Sequence, residues 1–270
     1  AALLDLKLLK QSWKLPARLL LIGLPITIVF ATLVALLIFP NEPAINMLLL
    51  ALLLTPTDAA LGKAVVSDPV VPKKIRSTIN VESGLNDGII FPILLTVIAM
   101  LTSGLSEDGG DSSWLTFVLE QVFFGAVIGA VVGYLGTKLS QFTLHKKWMQ
   151  GNYQNLIPIA LAILSFYLAE TLYGNGFIAA FFAGLYAGNT SNKTRQHIEN
   201  FAESEGELFV LISFFIFGLA FVAQMWPFVT VDVVIYSVLS LTVLRMLPVI
   251  LCLVGAKLEL STMAFIAWFG

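Results

Sequence analysis

Long apolar runs separated by short polar turns set the pattern of this chain. A helix needs about 20 apolar residues to cross the hydrocarbon core of a bilayer. Eight stretches read as such spans: Leu15 to Phe39, Ala44 to Val66, Ser77 to Thr102, Trp114 to Phe142, Asn155 to Thr171, Gly176 to Gly188, Glu207 to Trp226 and Val231 to Gly255, with part of a ninth beginning near Ser261. The apolar positions are continuous and do not alternate with a period of two, which predicts helices and not strands. The sixth stretch is short and glycine-rich. Ser191 to Gly206 is polar enough to form a connecting helix outside the membrane, its Glu-rich half a solvated face. No short repeat and no Ser/Gly linker divides the sequence, so residues 1–270 read as one all-α, polytopic membrane domain.

Composition agrees with this pattern. The chain is 58% apolar and 12% charged, against about 25% charged residues in an ordinary soluble domain. A net charge of −2 with no basic block excludes nucleic acid as a partner. The single cysteine, Cys252, excludes an internal disulfide framework or a cysteine zinc site, and no cofactor is implied. The basic residues test the span count. Lys7, Lys10, Lys14 and Arg18 lie before or at the start of the first span; Lys63, Lys73, Lys74 and Arg76 at or after the end of the second; Lys138, Lys146 and Lys147 at or after the end of the fourth; Lys193 and Arg195 follow the sixth; Lys257 follows the eighth. The intervening turns carry acids or no charge: Glu42, then Glu107, Asp108 and Asp111, then Tyr173 to Asn175, then Pro227 to Thr230. All but one of the fifteen Lys and Arg residues therefore fall on one side, which the positive-inside rule makes cytoplasmic. The exception, Arg245, is in mid-span.

Ionisable groups at membrane depth cost several kcal/mol and mark functional sites. Here they are Asp58, Glu82, Asp87, Glu120, Glu170, Arg245 and, nearer the ends, Glu207 and Asp232. Solvation or helix capping accounts for Glu170, Glu207 and Asp232 near predicted helix ends, while Glu120 lies two turns inside its span, open to an inner-bundle role.

The second span is interrupted by Thr55-Pro56-Thr57-Asp58. Proline removes a backbone donor, and Thr and Asp side chains satisfy freed backbone groups, so two half-helices with loose backbone between them are expected. Such backbone is tolerated at mid-membrane only against protein or a water-filled cavity, where the exposed helix ends serve as ion ligands. A plain proline kink is the simpler alternative, but a kink requires no acid.

The third span carries Val81-Glu82-Ser83-Gly84-Leu85-Asn86-Asp87-Gly88. At about 100° per residue, Ser83 and Asp87 share one helix face and Glu82 and Asn86 the adjacent one. Ser83 and Asp87 offer hard oxygens suited to a small cation. Arg245, the only base stranded in a span, is the counter-charge for Glu82, since neither charge is affordable alone. That pairing leaves the exchange of a proton for a cation to Asp87. A low-dielectric site favours a protonated carboxyl and a neighbouring cation favours the ionised one, so the two occupants compete. A static polar lock between helices is the structural alternative. An intramembrane aspartyl protease built on Asp58 and Asp87 leaves Glu82, Asn86 and Arg245 unexplained.

The run Thr57-Asp58, Val71-Pro72 and Glu82-Ser83-Gly84-Leu85-Asn86-Asp87-Gly88 resembles the monovalent cation:proton antiporters, on the sodium/proton exchanger branch. Tyr167 to Glu170, Gly176 to Ala179, Ala183 to Leu185 and Phe217 to Leu219 agree with it, and the resemblance covers essentially the whole chain. It implies a sodium/proton antiporter-like bundle with inverted repeats and discontinuous helices, a homodimer in a bacterial-type cell membrane, and exchange of sodium, or alternatively potassium, for protons. A channel or sensor on the same scaffold is a further alternative. By this resemblance Asp87 is the cation- and proton-binding aspartate, Ser83 and Thr57 supply further cation oxygens, Asp58 belongs to the break, and Glu82 with Arg245 forms the structural ion pair. Asn86 matches the branch that exchanges one proton per cation, where the electrogenic branch has aspartate. Ala59 and Asn175 depart from the usual proline and serine. The resemblance also places about three helices before Ala1 and the rest of a second discontinuous helix after Gly270, so truncation at both ends is expected.

Overall fold

The structure, a computed structural model, describes residues 13–57, 68–103, 112–146, 148 and 156–269. Among the described residues the regular structure is helical, with no strand. In chain order the helices are α1 (Lys14–Ile38), α2 (Ala44–Leu54), α3 (Lys73–Ser103), α4 (Ser112–His145), α5 (Ile157–Thr171), α6 (Gly176–Thr190), α7 (Asn192–Phe217), α8 (Val231–Leu241), α9 (Val243–Leu253) and α10 (Leu260–Phe269). The chain is an integral, multi-pass membrane protein. Lys14–Ile38, Lys73–Ile98, Thr116–His145 and Val231–Leu253 are each long and apolar enough to cross a bilayer alone, and Ala44–Leu54, Ile157–Thr171, Leu208–Val222 and Leu260–Phe269 are shorter apolar helices.

Local chemistry sets the ends. Pro43 in extended conformation precedes α2, and Pro158 stands in the first turn of α5, where no amide partner is lost. Asn175 caps α6 by accepting the Ile178 amide at 3.0 Å, and Thr230 caps α8, with Asp232 in the first turn facing the positive end of the helix dipole. Pro92 and Pro248 sit inside α3 and α9 without ending them.

Two elements differ from the spans expected above. The second span is helical to Leu54, where the interruption was expected, and residues 58–67 lie outside the described residues. The polar connector and the seventh span are one helix, α7, which continues through the π-helical turn Gly218–Val222. Nothing between Asn192 and Phe217 breaks a helix, so polarity alone gave no boundary, and Glu207 is interior to α7 instead of at an end. The eighth span divides into α8 and α9 at Thr242, whose backbone turns to φ −122°, ψ −92°.

The chain forms two compact units, one containing Gly84–Gly206, the other Trp13–Ser83 and Glu207–Gly270; the boundaries fall inside α3 and α7. In the first, α4 packs on α5 and α6. Gly125, Gly129 and Gly133, four residues apart, lie against Asn175, Ala179 and Ala183, also four apart, and a Cβ at Gly125 would stand 2.7 Å from the Asn175 carbonyl oxygen. At Gly129 and Gly133 a Cβ would collide with the Ala179 and Ala183 backbone, so the two helices meet backbone to backbone as small residues in membranes allow.

In the second unit, Leu15 and Leu19 of α1, Ile79 of α3, Val249 and Leu253 of α9 and Ile266 of α10 form one buried cluster. Ala35 of α1, Ala51 of α2, Tyr236 of α8 and Leu244 of α9 form another, where the Tyr236 hydroxyl donates to the Ala31 carbonyl at 3.2 Å. Large side chains such as Leu37, Phe123, Phe215 and Leu241 are exposed. Small and medium residues inside with large apolar ones outside is the distribution expected when the surrounding solvent is lipid.

Candidate functional site

The break after α2 is built from three residues. The Thr55 hydroxyl donates back to the Ala51 carbonyl at 2.6 Å, a contact that bends helices. Pro56 has no amide to continue the ladder, and Thr57 is no longer helical. The last carbonyls of α2 then need donors from elsewhere.

Arg245 supplies one. Its Nη1 donates to the Thr55 carbonyl at 2.8 Å and its Nη2 to Glu82 Oε1 at 2.6 Å. Both charged side chains are withdrawn from solvent, at 12% and 4% exposure, so the pair stands in low dielectric, where the planar guanidinium fork suits two acceptors at once. The turn at Thr242 places Arg245 in the first turn of α9. Glu82 Oε2 accepts from the Thr57 hydroxyl at 3.4 Å, and the Ser83 hydroxyl is directed to the Thr57 carbonyl at 3.5 Å. Thr55, Thr57, Glu82, Ser83 and Arg245 are thus brought together around the helix end.

Asp87 lies on α3, one turn beyond Ser83, half-buried. The adjacent Asn86 is fully buried, and its Oδ1 accepts the Asp87 amide at 2.7 Å. This stretch approaches α6 through glycines: Gly84 lies against the Phe181 ring, and a Cβ at Gly88 would meet the Ile178 side chain and stand 3.4 Å from Asn175 Oδ1. Asp58 lies outside the described residues.

The remaining acids have separate places. Glu170 Oε1 accepts the Gly176 amide at 2.8 Å, so it caps the start of α6. Asp232 lies in the first turn of α8, and Glu120 is exposed on α4. Two contributors escape sequence reasoning. Thr55 acts through its backbone carbonyl, for which the only signal is the following proline. Asn175 is a fully buried cap whose Nδ2 has no hydrogen-bond partner, and the signal available was Asn-Gly at a helix start. Among the described residues no three His, Cys, Asp or Glu side chains cluster as ligands for a metal.

The sequence profile of the family described as "Sodium/hydrogen exchanger, transmembrane" matches residues 2–270. The chain is 29% identical over 152 residues to a Na(+)/H(+) antiporter of Schizosaccharomyces pombe, an alignment covering 55% of this chain and 32% of that protein. It is 27% identical over 226 residues to the K(+)/H(+) antiporter NhaP of Alkalimonas amylolytica, covering 83% of this chain and 38% of the relative. The fold is similar to the sodium proton antiporter MjNhaP1 from Methanocaldococcus jannaschii, with a TM-score of 0.78 at 20% identity, over 98% of this chain and 65% of the other. The chain thus spans about a third of the first curated relative and 38% of the second.

Proposed function

The chain belongs to the transmembrane sodium/hydrogen exchanger family, and on that premise we propose that it exchanges one monovalent cation, sodium, for one proton at Asp87. The observation that carries the reading is the arrangement of charge on α3. Glu82 is neutralised by Arg245 at 2.6 Å, so the pair contributes no net charge, and the carboxyl that changes charge is Asp87, one turn past Ser83.

The cycle follows from competition. A proton neutralises the Asp87 carboxylate in low dielectric; a sodium ion satisfies it electrostatically and adds the Ser83 hydroxyl and Thr57 carbonyl oxygens as ligands. Neither occupant tolerates the other, so loading one releases the other, and alternating exposure to the two sides converts the exclusion into antiport. Glu82 and Arg245 hold the Thr55–Thr57 strand in place. Asn86, neutral at every pH, keeps the exchange at one proton per ion, which is electroneutral. Asp58, which follows Thr57 in the sequence, is assigned to the ion path. By the positive-inside rule, the basic loops face the cytoplasm. Relatives named for potassium favour a second reading, potassium for proton, which uses the same carboxyl. The homodimer expected of the family is part of this proposal.

The test reconstitutes the intact transporter in vesicles with an internal pH dye. Adding sodium to wild type moves protons at an initial rate insensitive to a clamped membrane potential, potassium and lithium rank the ions, and Asp87→Asn reduces the signal to that of empty vesicles. A wild-type-like signal from Asp87→Asn rejects the assignment.

A further inference from the structure

The outer face of α4 carries a pattern that ion exchange does not use. Tyr134, Lys138, Phe142 and Lys146 follow one another at intervals of four, so they form a single stripe of alternating aromatic and cationic side chains. The ammonium of Lys138 lies 5.8 Å from the centre of the Tyr134 ring, and that of Lys146 lies 5.8 Å from the centre of the Phe142 ring. Trp148, just past the helix end, meets Phe142 edge to face at 6.0 Å. The aromatic members are open to the surroundings, at 47% for Tyr134, 50% for Phe142 and 73% for Trp148.

The stripe lies away from the packed side of its helix. Gly133 faces the Ala183 backbone of α6 and Gly136 faces Leu161 of α5. At about 100° per residue, Lys138 and Phe142 stand about 140° and 180° around the helix from Gly133. Depth is also constrained. With 34 residues at about 1.5 Å each, α4 is about 51 Å long, against about 30 Å of hydrocarbon. Its last two turns therefore project into the headgroup layer on the side of the basic loops, where amphipathic aromatic rings and lysines settle. Each of the two aromatic rings thus has a lysine ammonium beside it, and the two lysines stand about two turns apart along the helix.

We propose that this stripe binds anionic phospholipids of that leaflet, one phosphate taken by Lys138 and another by Lys146, with upper acyl chains laid on Tyr134, Phe142 and Trp148 beside them. Charge favours lipid over a further apolar helix: two exposed ammonium groups need anionic or polar acceptors, which phosphate headgroups supply and hydrocarbon does not. The inference is independent of the exchange chemistry, because none of these residues is in the α3 site.

The test uses the intact transporter in phosphatidylcholine vesicles with 0 to 30% phosphatidylglycerol (about 1 kcal/mol per lysine near an anionic surface). Fluorescence quenching by brominated acyl chains is read as the difference between wild type and Trp148→Phe. Wild type shows stronger quenching of Trp148 by brominated phosphatidylglycerol than by brominated phosphatidylcholine, unaffected by inorganic phosphate. K138Q/K146Q lowers the preference for phosphatidylglycerol by roughly tenfold or more, and K138R/K146R retains it. Equal quenching by the two lipids, loss of the preference on adding phosphate, or an unchanged preference in K138Q/K146Q overturns the proposal.

Discussion

Arg245 joins acceptors from different elements with one guanidinium: the end carbonyl of α2 and the carboxylate of Glu82 on α3. Removing the arginine leaves the buried Glu82 carboxylate without its counter-charge and the Thr55 carbonyl without this donor. Breaking a buried pair on one side costs about 3–5 kcal/mol, whereas replacing both charges with packed apolar groups costs much less. Arg245→Met should therefore lower the thermal unfolding midpoint of the intact protein more than Glu82→Met combined with Arg245→Met does. Arg245→Lys should fall between wild type and Arg245→Met, since one ammonium cannot reproduce a planar fork. Strictly additive losses across the cycle would show that the two side chains do not act as a pair.

At the scale of the elements, glycine position decides packing. A Cβ at Gly129 would enter the Ala179 backbone, which cannot step aside without moving α6, while a Cβ at Gly218 meets nothing within 4 Å. Gly129→Ala should destabilise by about 1–3 kcal/mol through overpacking, and Gly218→Ala should be near neutral or slightly favourable because alanine suits a helix better than glycine. Chemical unfolding of the two variants in the same detergent checks this; equal losses would contradict it. Much of this layer was legible in the sequence, because membrane helices announce themselves by continuous apolar runs, although proline marks an end at Pro43 and Pro56 and not at Pro92 or Pro248. The break at Thr55 to Thr57 was readable from Pro56. The turn at Thr242 was not, since no glycine or proline stands there. The continuity of α7 was hidden because a polar stretch and an apolar one are equally helical when nothing interrupts them. Long-range partners divided in the same way: charge balance predicted Arg245 with Glu82, but no sequence pattern reports that the same guanidinium reaches a backbone carbonyl.

For the whole molecule, the proposal is a thermodynamic exclusion at one carboxyl. If proton and sodium share Asp87, each lowers the affinity for the other by the same factor. Where the site is mainly protonated, sodium must displace a proton, so its half-saturating concentration should fall about tenfold for each unit of rising pH and then become constant once the site is ionised. A variant that keeps the fold but lacks the carboxyl should show no such dependence. The direct measurement is the number of protons released into weakly buffered solution per sodium ion bound by the intact protein, followed across pH. The account predicts release approaching one proton per ion at low pH, vanishing at high pH and absent in Asp87→Asn. Sodium binding with no proton release at any pH, or unchanged release from Asp87→Asn, would contradict it.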